Sequence, residues 1–360
     1  MLTHSLMFLL GLATLTLGAE VMVRGASRLA LTLGISPLVV GLTVVAFGTS
    51  APEMAVSAGA VMNGSGDLAI GNVVGSNIAN VLLILGLSAL IFPLAVHEQV
   101  IRQEIPIMIG ASLLLVVLAL DGTLSVGEGA LLLLLVVAYT SFLVVQSRRA
   151  GKEVQEEFAA EMPAQSRWDG HWAVQVALVV AGLGLLVLGA EWLVDAAVAV
   201  ARAFGVSDLV IGLTVVAVGT SMPEIATSLV AAWRGERDIA VGNVVGSNVF
   251  NIFACLGLAG LISGGGIPVS ETARNFDLWV MLAVAFACLP IAVSGREIAR
   301  WEGGVFIAYY AAYTAYLVLA AQRHEHLAAF SDAMLGYVLP LTVIAIVVSF
   351  VRANGKAAPP

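Results

Sequence analysis

The string GLTVVAFGTSAPE at 41–53 returns as GLTVVAVGTSMPE at 212–224. A second string, AIGNVVGSNIAN at 69–80, returns as AVGNVVGSNVFN at 240–251, and LGAE at 17–20 returns at 188–191. All three pairs share one offset of 171 residues, so nothing is inserted between the motifs in either copy. Any architecture for this chain has to contain one structural plan twice.

The solvent of that plan follows from composition. Sixty per cent of the residues are apolar and 11% are charged, where a soluble protein carries about 25% charged residues. Most of the chain therefore faces lipid. A bilayer core takes about 20 apolar residues per helix, which predicts spans near 5–31, 37–62, 69–93, 105–120, 125–146, 172–201, 208–233, 239–262, 276–294, 303–321 and 333–351. The expected fold is an all-α integral membrane protein with two inverted five-helix repeats plus one extra C-terminal transmembrane helix, about eleven spans in all. Five is odd, so the second half enters the membrane upside down, as in many secondary transporters with a site at the midplane. The expected division is 1–146 for the first repeat, 147–171 for a cytoplasmic linker, 172–321 for the second repeat and 322–360 for the extra helix and tail. The first apolar run begins at about Leu6 with no Lys or Arg ahead of it, so it is expected to be a retained span and not a signal peptide.

Lysine and arginine distribution sets the orientation. With the N-terminus outside, the inward segments hold Arg28, Arg102, Arg148, Arg149, Lys152, Arg167, Arg234, Arg237, Arg296, Arg300, Arg352 and Lys356. The outward segments hold Arg202, Arg274 and Arg323. This bias predicts an outside N-terminus and a cytoplasmic C-terminus. Trp168, Trp172, Trp233 and Trp301, near span ends, are expected as interfacial anchors.

The repeated strings also carry the chemistry. Gly48-Thr49-Ser50-Ala51-Pro52-Glu53 and Gly219-Thr220-Ser221-Met222-Pro223-Glu224 each sit within an apolar span. Proline lacks an N–H and clashes with the preceding turn, so each span is expected to break into two half-helices. Broken backbone at membrane depth is tolerated only in buried or cavity-lining positions. Ser50-x-x-Glu53 also fits a helix capping box, but a cap does not require a carboxylate at membrane depth twice. A central ionisable residue costs about 2.5–3.5 kcal/mol on insertion scales and usually marks an ion path. In the second motif Ser76 and Asn80 share a helix face, as do Ser247 and Asn251. Gly71 with Gly75, and Gly242 with Gly246, are expected to let a facing helix approach closely.

Together these groups make an all-oxygen site. Calcium takes six to eight oxygens in irregular geometry, whereas softer metals call for His or Cys, which the motifs lack. The five histidines lie at segment ends or in loops, against a zinc site or a histidine proton relay. Cys255 and Cys288 are expected as small hydrophobes in helices. The net charge of −8 offers no nucleic-acid surface. No nucleophile with a base stands in a span, so an enzyme is not expected.

At these residues the chain resembles the cation/calcium exchanger superfamily. The doubled GTS-x-PE and GN-x-x-GSN strings are similar to its alpha-repeats over roughly residues 5–320. The resemblance implies a sodium-coupled calcium antiporter of a bacterial or archaeal plasma membrane. It implies Glu53 and Glu224 as central ligands, with Thr49, Ser50, Thr220 and Ser221 lining the site and Ser76, Asn80, Ser247 and Asn251 around them. Ca²⁺ and Na⁺ bind as substrates and no cofactor is implied; a proton/calcium antiporter on the same scaffold is the alternative. The neutral Asn80 and Asn251 speak against potassium cotransport. The first and sixth spans are expected to slide on Gly18, Gly25, Gly182, Gly184 and Gly189. Glu20 is expected to pair with Arg24 at i,i+4. Glu191 with Asp195 is either a cation entrance or a pair of solvated helix-end carboxylates.

Overall fold

The computed structural model describes residues 2–149, 171–204, 211, 215, 217–293 and 296–345. Almost all of the expected linker and the start of the seventh span fall outside these residues. Lipid offers no partners to backbone N–H and C=O groups, so the apolar runs close their hydrogen bonds internally as helices.

The first half contains α1 (Leu2–Leu33), α2 (Pro37–Thr49), α3 (Ala51–Met62), α4 (Gly66–Ile91), α5 (Val100–Leu118) and α6 (Val126–Arg149). The second contains α7 (Trp172–Ala203), α8 (Ala217–Thr220), α9 (Met222–Trp233), α10 (Arg237–Ile262), α11 (Ala273–Val293) and α12 (Arg300–Ala321). The extra helix α13 covers Leu327–Ala345. Among the described residues nine helices are long and apolar enough to span a bilayer, and the bent pair α2–α3 makes a tenth. The seventh expected span is represented by α8 and α9.

Two short ladders report how the halves are related. β1 (Leu94–Ala95) pairs antiparallel with β4 (Glu297–Ile298), and β2 (Thr123–Leu124) pairs with β3 (Ile267–Pro268). β1 precedes α5 and β2 follows it, so the two ladders lie at opposite ends of that helix. β3 is the copy of β1 and β4 the copy of β2. Exchanging the halves therefore exchanges the ladders, and with them the two faces of the protein. This is the inverted repeat.

Between the halves, α1 and α7 run antiparallel along a glycine seam. A Cβ placed on Gly189 would stand 2.6 Å from the Leu15 nitrogen, and one on Gly182 2.6 Å from the Met22 nitrogen. Gly11, Gly18 and Gly25 meet α7 in the same way, with Cβ positions 2.7–2.9 Å from its backbone or side chains. The α1 glycines recur every seven residues, as do Gly182 and Gly189. Small residues let backbones approach closely in lipid, where packing replaces the hydrophobic effect. Gly184, expected in this contact, faces open space; it lies two residues from Gly182, on another side of the helix.

At the α9 end of α1 a partner from far along the chain joins the expected local geometry. Glu20 is held by Arg234, whose Nε donates to Glu20 Oε2 at 2.7 Å, across 214 residues of chain. The i,i+4 spacing to Arg24 is local, and the turn after α9 brings a second cation to the same carboxylate. In that turn, burial holds the Glu236 carboxyl above its usual range, while Ser27 pulls the other way.

The outermost helices are α12 and α13. Tyr309 of α12 donates to Thr342 Oγ1 of α13 at 2.6 Å. Trp172, Trp233 and Trp301 stand exposed at helix ends, as anchors should.

Candidate cation site

Pro52 and Pro223 are the second residues of α3 and α9. Neither can return an N–H to the preceding turn, and α2 meets α3 at a bend of 42°. Ser50 and Ser221 occupy the N-cap positions of α3 and α9, but neither side chain caps. Ser50 Oγ instead donates to Glu224 Oε1 at 3.3 Å, and Ser221 Oγ donates to Glu53 Oε1 at 3.4 Å. The capping-box expectation is thus corrected in its partner. A buried carboxylate oxygen left without a donor costs more than a backbone N–H at a helix break, and the carboxylate each hydroxyl serves belongs to the other half.

Glu53, Glu224, Thr49, Ser50, Ser221, Asn80, Ser247 and Asn251 are fully buried, and Ser76 nearly so. Ser76 and Ser221 hydroxyls lie 3.1 Å apart, and Asn251 Nδ2 donates to Ser76 Oγ at 3.1 Å. Thr49 Oγ1 donates to Asn243 Oδ1 at 3.1 Å. Thr220 ends α8 beside the break and is partly buried. Four buried oxygens in this region have no hydrogen-bond partner: Glu53 Oε2, Glu224 Oε2, Asn80 Oδ1 and Ser247 Oγ. Two come from each half. Unsatisfied buried oxygens are costly, and a bound cation is one group that would remove the cost. No group of three or more His, Cys, Asp or Glu side chains among the described residues is placed to hold a metal ion, so Glu53 and Glu224 are the carboxylates of this region.

Sequence reasoning missed a second set of amides. Asn72 Nδ2 donates to the Glu53 carbonyl at 3.3 Å and to Ser57 Oγ at 3.1 Å. Asn243 Nδ2 repeats this on the Glu224 carbonyl and on Ser228 Oγ at 2.9 Å. Asn77 and Asn248 then tie the halves together: Asn251 Nδ2 donates to Asn77 Oδ1, and Asn80 Nδ2 to Asn248 Oδ1, both at 3.0 Å. The signal was present, because these asparagines recur at the same offset as their neighbours. Cys255 is also more than filler, with Sγ 3.6 Å from Asn251 Oδ1.

Packing differs between the halves. Gly242 and Gly246 are buried against α2, with Cβ positions 2.9 and 2.7 Å from the Leu38 and Leu42 carbonyl oxygens. The expected close approach fails at Gly71 and Gly75, where a Cβ would meet nothing within 4 Å. Glu191 and Asp195 are exposed one turn apart on α7.

The sequence profile described as "Sodium/calcium exchanger protein" matches residues 3–145 and 174–319, most of both halves. The chain belongs to this family. The "Putative antiporter CaxA" of Alkalimonas amylolytica is 41% identical over 318 residues, covering 87% of the chain and 98% of that protein. The "Sodium/calcium exchanger MaX1" of Methanosarcina acetivorans is 36% identical over 339 residues, covering 86% and 96%. A solved structure of the sodium-calcium exchanger NCX_Mj superposes with a TM-score of 0.73 at 32% identity, over 87% of this chain and 98% of that one. This exchanger is accordingly an integral membrane cation/calcium antiporter, and its family is one of transporters.

Proposed function

We propose that this antiporter exchanges Ca²⁺ for Na⁺ by alternating access, with Glu53 and Glu224 as the central ligands. The observation that carries this reading is the set of four unpartnered buried oxygens, two from each half, near the breaks that open α3 and α9. Thr49, Ser50, Thr220, Ser221, Ser76 and Asn251 complete the oxygen lining. Calcium suits it, since it accepts many oxygens in irregular array. One Ca²⁺ balances two carboxylates. Emptied of Ca²⁺, the two buried like charges repel, so the site refills with monovalent cations before it reorients. Coupling follows from that requirement.

The division into halves at 1–146 and 172–321, joined by a cytoplasmic linker at 147–171, belongs to this proposal. So does the outside N-terminus, in a prokaryotic plasma membrane. In that frame the loosely packed Gly71–Gly75 side faces outward and the tightly packed Gly242–Gly246 side faces inward. Sodium entering from outside drives calcium out.

The test is calcium release from proteoliposomes under imposed gradients. A sodium gradient is expected to drive release with no potassium requirement, and a pH gradient alone is expected not to. Release driven by protons without sodium overturns the coupling and makes the protein a proton/calcium antiporter.

A further inference from the structure

The asparagine pairs that join the halves end on sulfur. Asn248 Nδ2 donates to Met108 Sδ at 3.1 Å, and Asn77 Nδ2 reaches Met281 Sδ at 3.7 Å. Met108 is on α5 and Met281 on α11, helices outside the repeated strings. The arrangement is itself duplicated. One turn before each methionine stands an acid bonded to a tyrosine of the next helix: Tyr139 donates to Glu104 Oε2, and Tyr313 to Asp277 Oδ1, both at 2.9 Å. Each acid ends a wide π-helical turn, Val100–Glu104 or Ala273–Asp277. The acid–tyrosine bond fixes the face of the helix from which the methionine projects, because residues four apart share a face.

A thioether has lone pairs and no proton, so whichever end of an asparagine amide faces it must be the NH₂. Met108 therefore turns Asn248 Nδ2 outward and leaves Oδ1 to accept. Asn80 answers with its own Nδ2 at 3.0 Å. That choice in turn points Asn80 Oδ1 inward, where it is buried without a partner. The other half repeats the logic. Asn77 Nδ2 faces Met281 Sδ and the Asn248 carbonyl, Asn77 Oδ1 accepts from Asn251 Nδ2, which also donates to Ser76 Oγ, and Asn251 Oδ1 accepts from the Cys255 thiol.

We propose that Met108 and Met281 are positioning residues that set the polarity of two asparagine relays, so that Asn80 and Asn251 present oxygen and not NH₂ to the cation. An NH₂ group aimed at Ca²⁺ or Na⁺ would repel it; the sulfur, a relay step away from the site, excludes that state. The proposal rests on Asn80 and Asn251 being cation ligands. The two arms differ in strength. Asn248 has its orientation set by Met108, whereas Asn77 is also oriented by a backbone carbonyl and Asn251 by the Ser76 hydroxyl.

The test is equilibrium Ca²⁺ binding by the full-length protein in detergent, arranged as a double-mutant cycle. Met108→Leu keeps nearly the same volume and removes the acceptor. It is expected to weaken Ca²⁺ binding about tenfold, the worth of one hydrogen bond, and Met281→Leu is expected to weaken it less. Asn80→Ala weakens binding on its own, and Met108→Leu is expected to add nothing to it, because the methionine acts through that side chain. Unchanged binding in both Asn80→Ala and Asn251→Ala removes the ligand assignment, and the relay with it. Weaker binding in those variants overturns the relay alone if Met108→Leu binds like the parent, or if its full loss persists beside Asn80→Ala. Should Met108→Leu not be recovered folded, Met281→Leu with Asn251→Ala gives the same decision on another helix.

Discussion

At the scale of residues, each glutamate is served by a hydroxyl from the opposite half: Ser50 on Glu224 and Ser221 on Glu53. Each therefore keeps one bonded oxygen and one free for a cation. Glu53→Gln and Glu224→Gln retain size and the serine contact but remove half the negative charge available to Ca²⁺. Each is expected to abolish calcium exchange in proteoliposomes while the purified protein still elutes as a folded species. Near-normal flux in either variant would remove the site from this place. The glutamates were legible because an apolar span bears the cost of a carboxylate only for a reason, and it does so twice. The serine partners were not legible. A spacing of three residues along one helix fits a cap, and nothing in the string says that a second helix brings a stronger acceptor. Glu20 shows the same limit, since the pairing with Arg234 exists only once α9 is in place. Of the asparagines, Asn80 and Asn251 stood out by sharing a face with serines. Asn77 and Asn248, which orient them, point toward helices that carry no motif.

At the scale of elements, the repeats fixed the count and order of helices well, and hydropathy placed most ends within a few residues. The fourth and eleventh spans depart: α5 starts at Val100 and not near 105, and α13 at Leu327 and not near 333. Arg102, Gln103 and Glu104 look too polar to open a membrane helix, yet Glu104 is fully buried there by Tyr139, Gln99 and Gln103. Polarity satisfied by neighbours reads in a linear string as polarity facing water. The seam between α1 and α7 was legible in part, because glycines in apolar helices imply contact, though spacing misassigned Gly184. Gly189→Leu would drive a side chain into the Leu15 backbone, against a limit of 2.6 Å already at Cβ. If this seam is the moving surface, exchange is expected to slow by roughly tenfold or more, about 1.4 kcal/mol on the barrier, with equilibrium Ca²⁺ binding much less affected. Equal loss of rate and binding would assign the seam a static packing role.

At the scale of the whole molecule, the ladders place the β1 and β4 connections on one face and the β2 and β3 connections on the other. Orientation in the membrane is then a single choice, which the lysine and arginine distribution is expected to make. In a cysteine-free background, Ser65→Cys and Asp121→Cys are expected to react with an impermeant reagent on intact cells. His97→Cys is expected to react only after permeabilisation. All three side chains are exposed. The reverse pattern would invert the direction of transport argued above.

The period of the α1–α7 seam has a further consequence. Glycines that recur every seven residues recur every two turns, or about 10 Å along a helix axis. Two rods meshed at that pitch fit together again after a stroke of one period and at few displacements between. If the seam is the moving surface, its travel would be indexed, like a slide with detents. A motor part built this way would have stopping places written into its own surface, and the length of its stroke would be a property of glycine spacing.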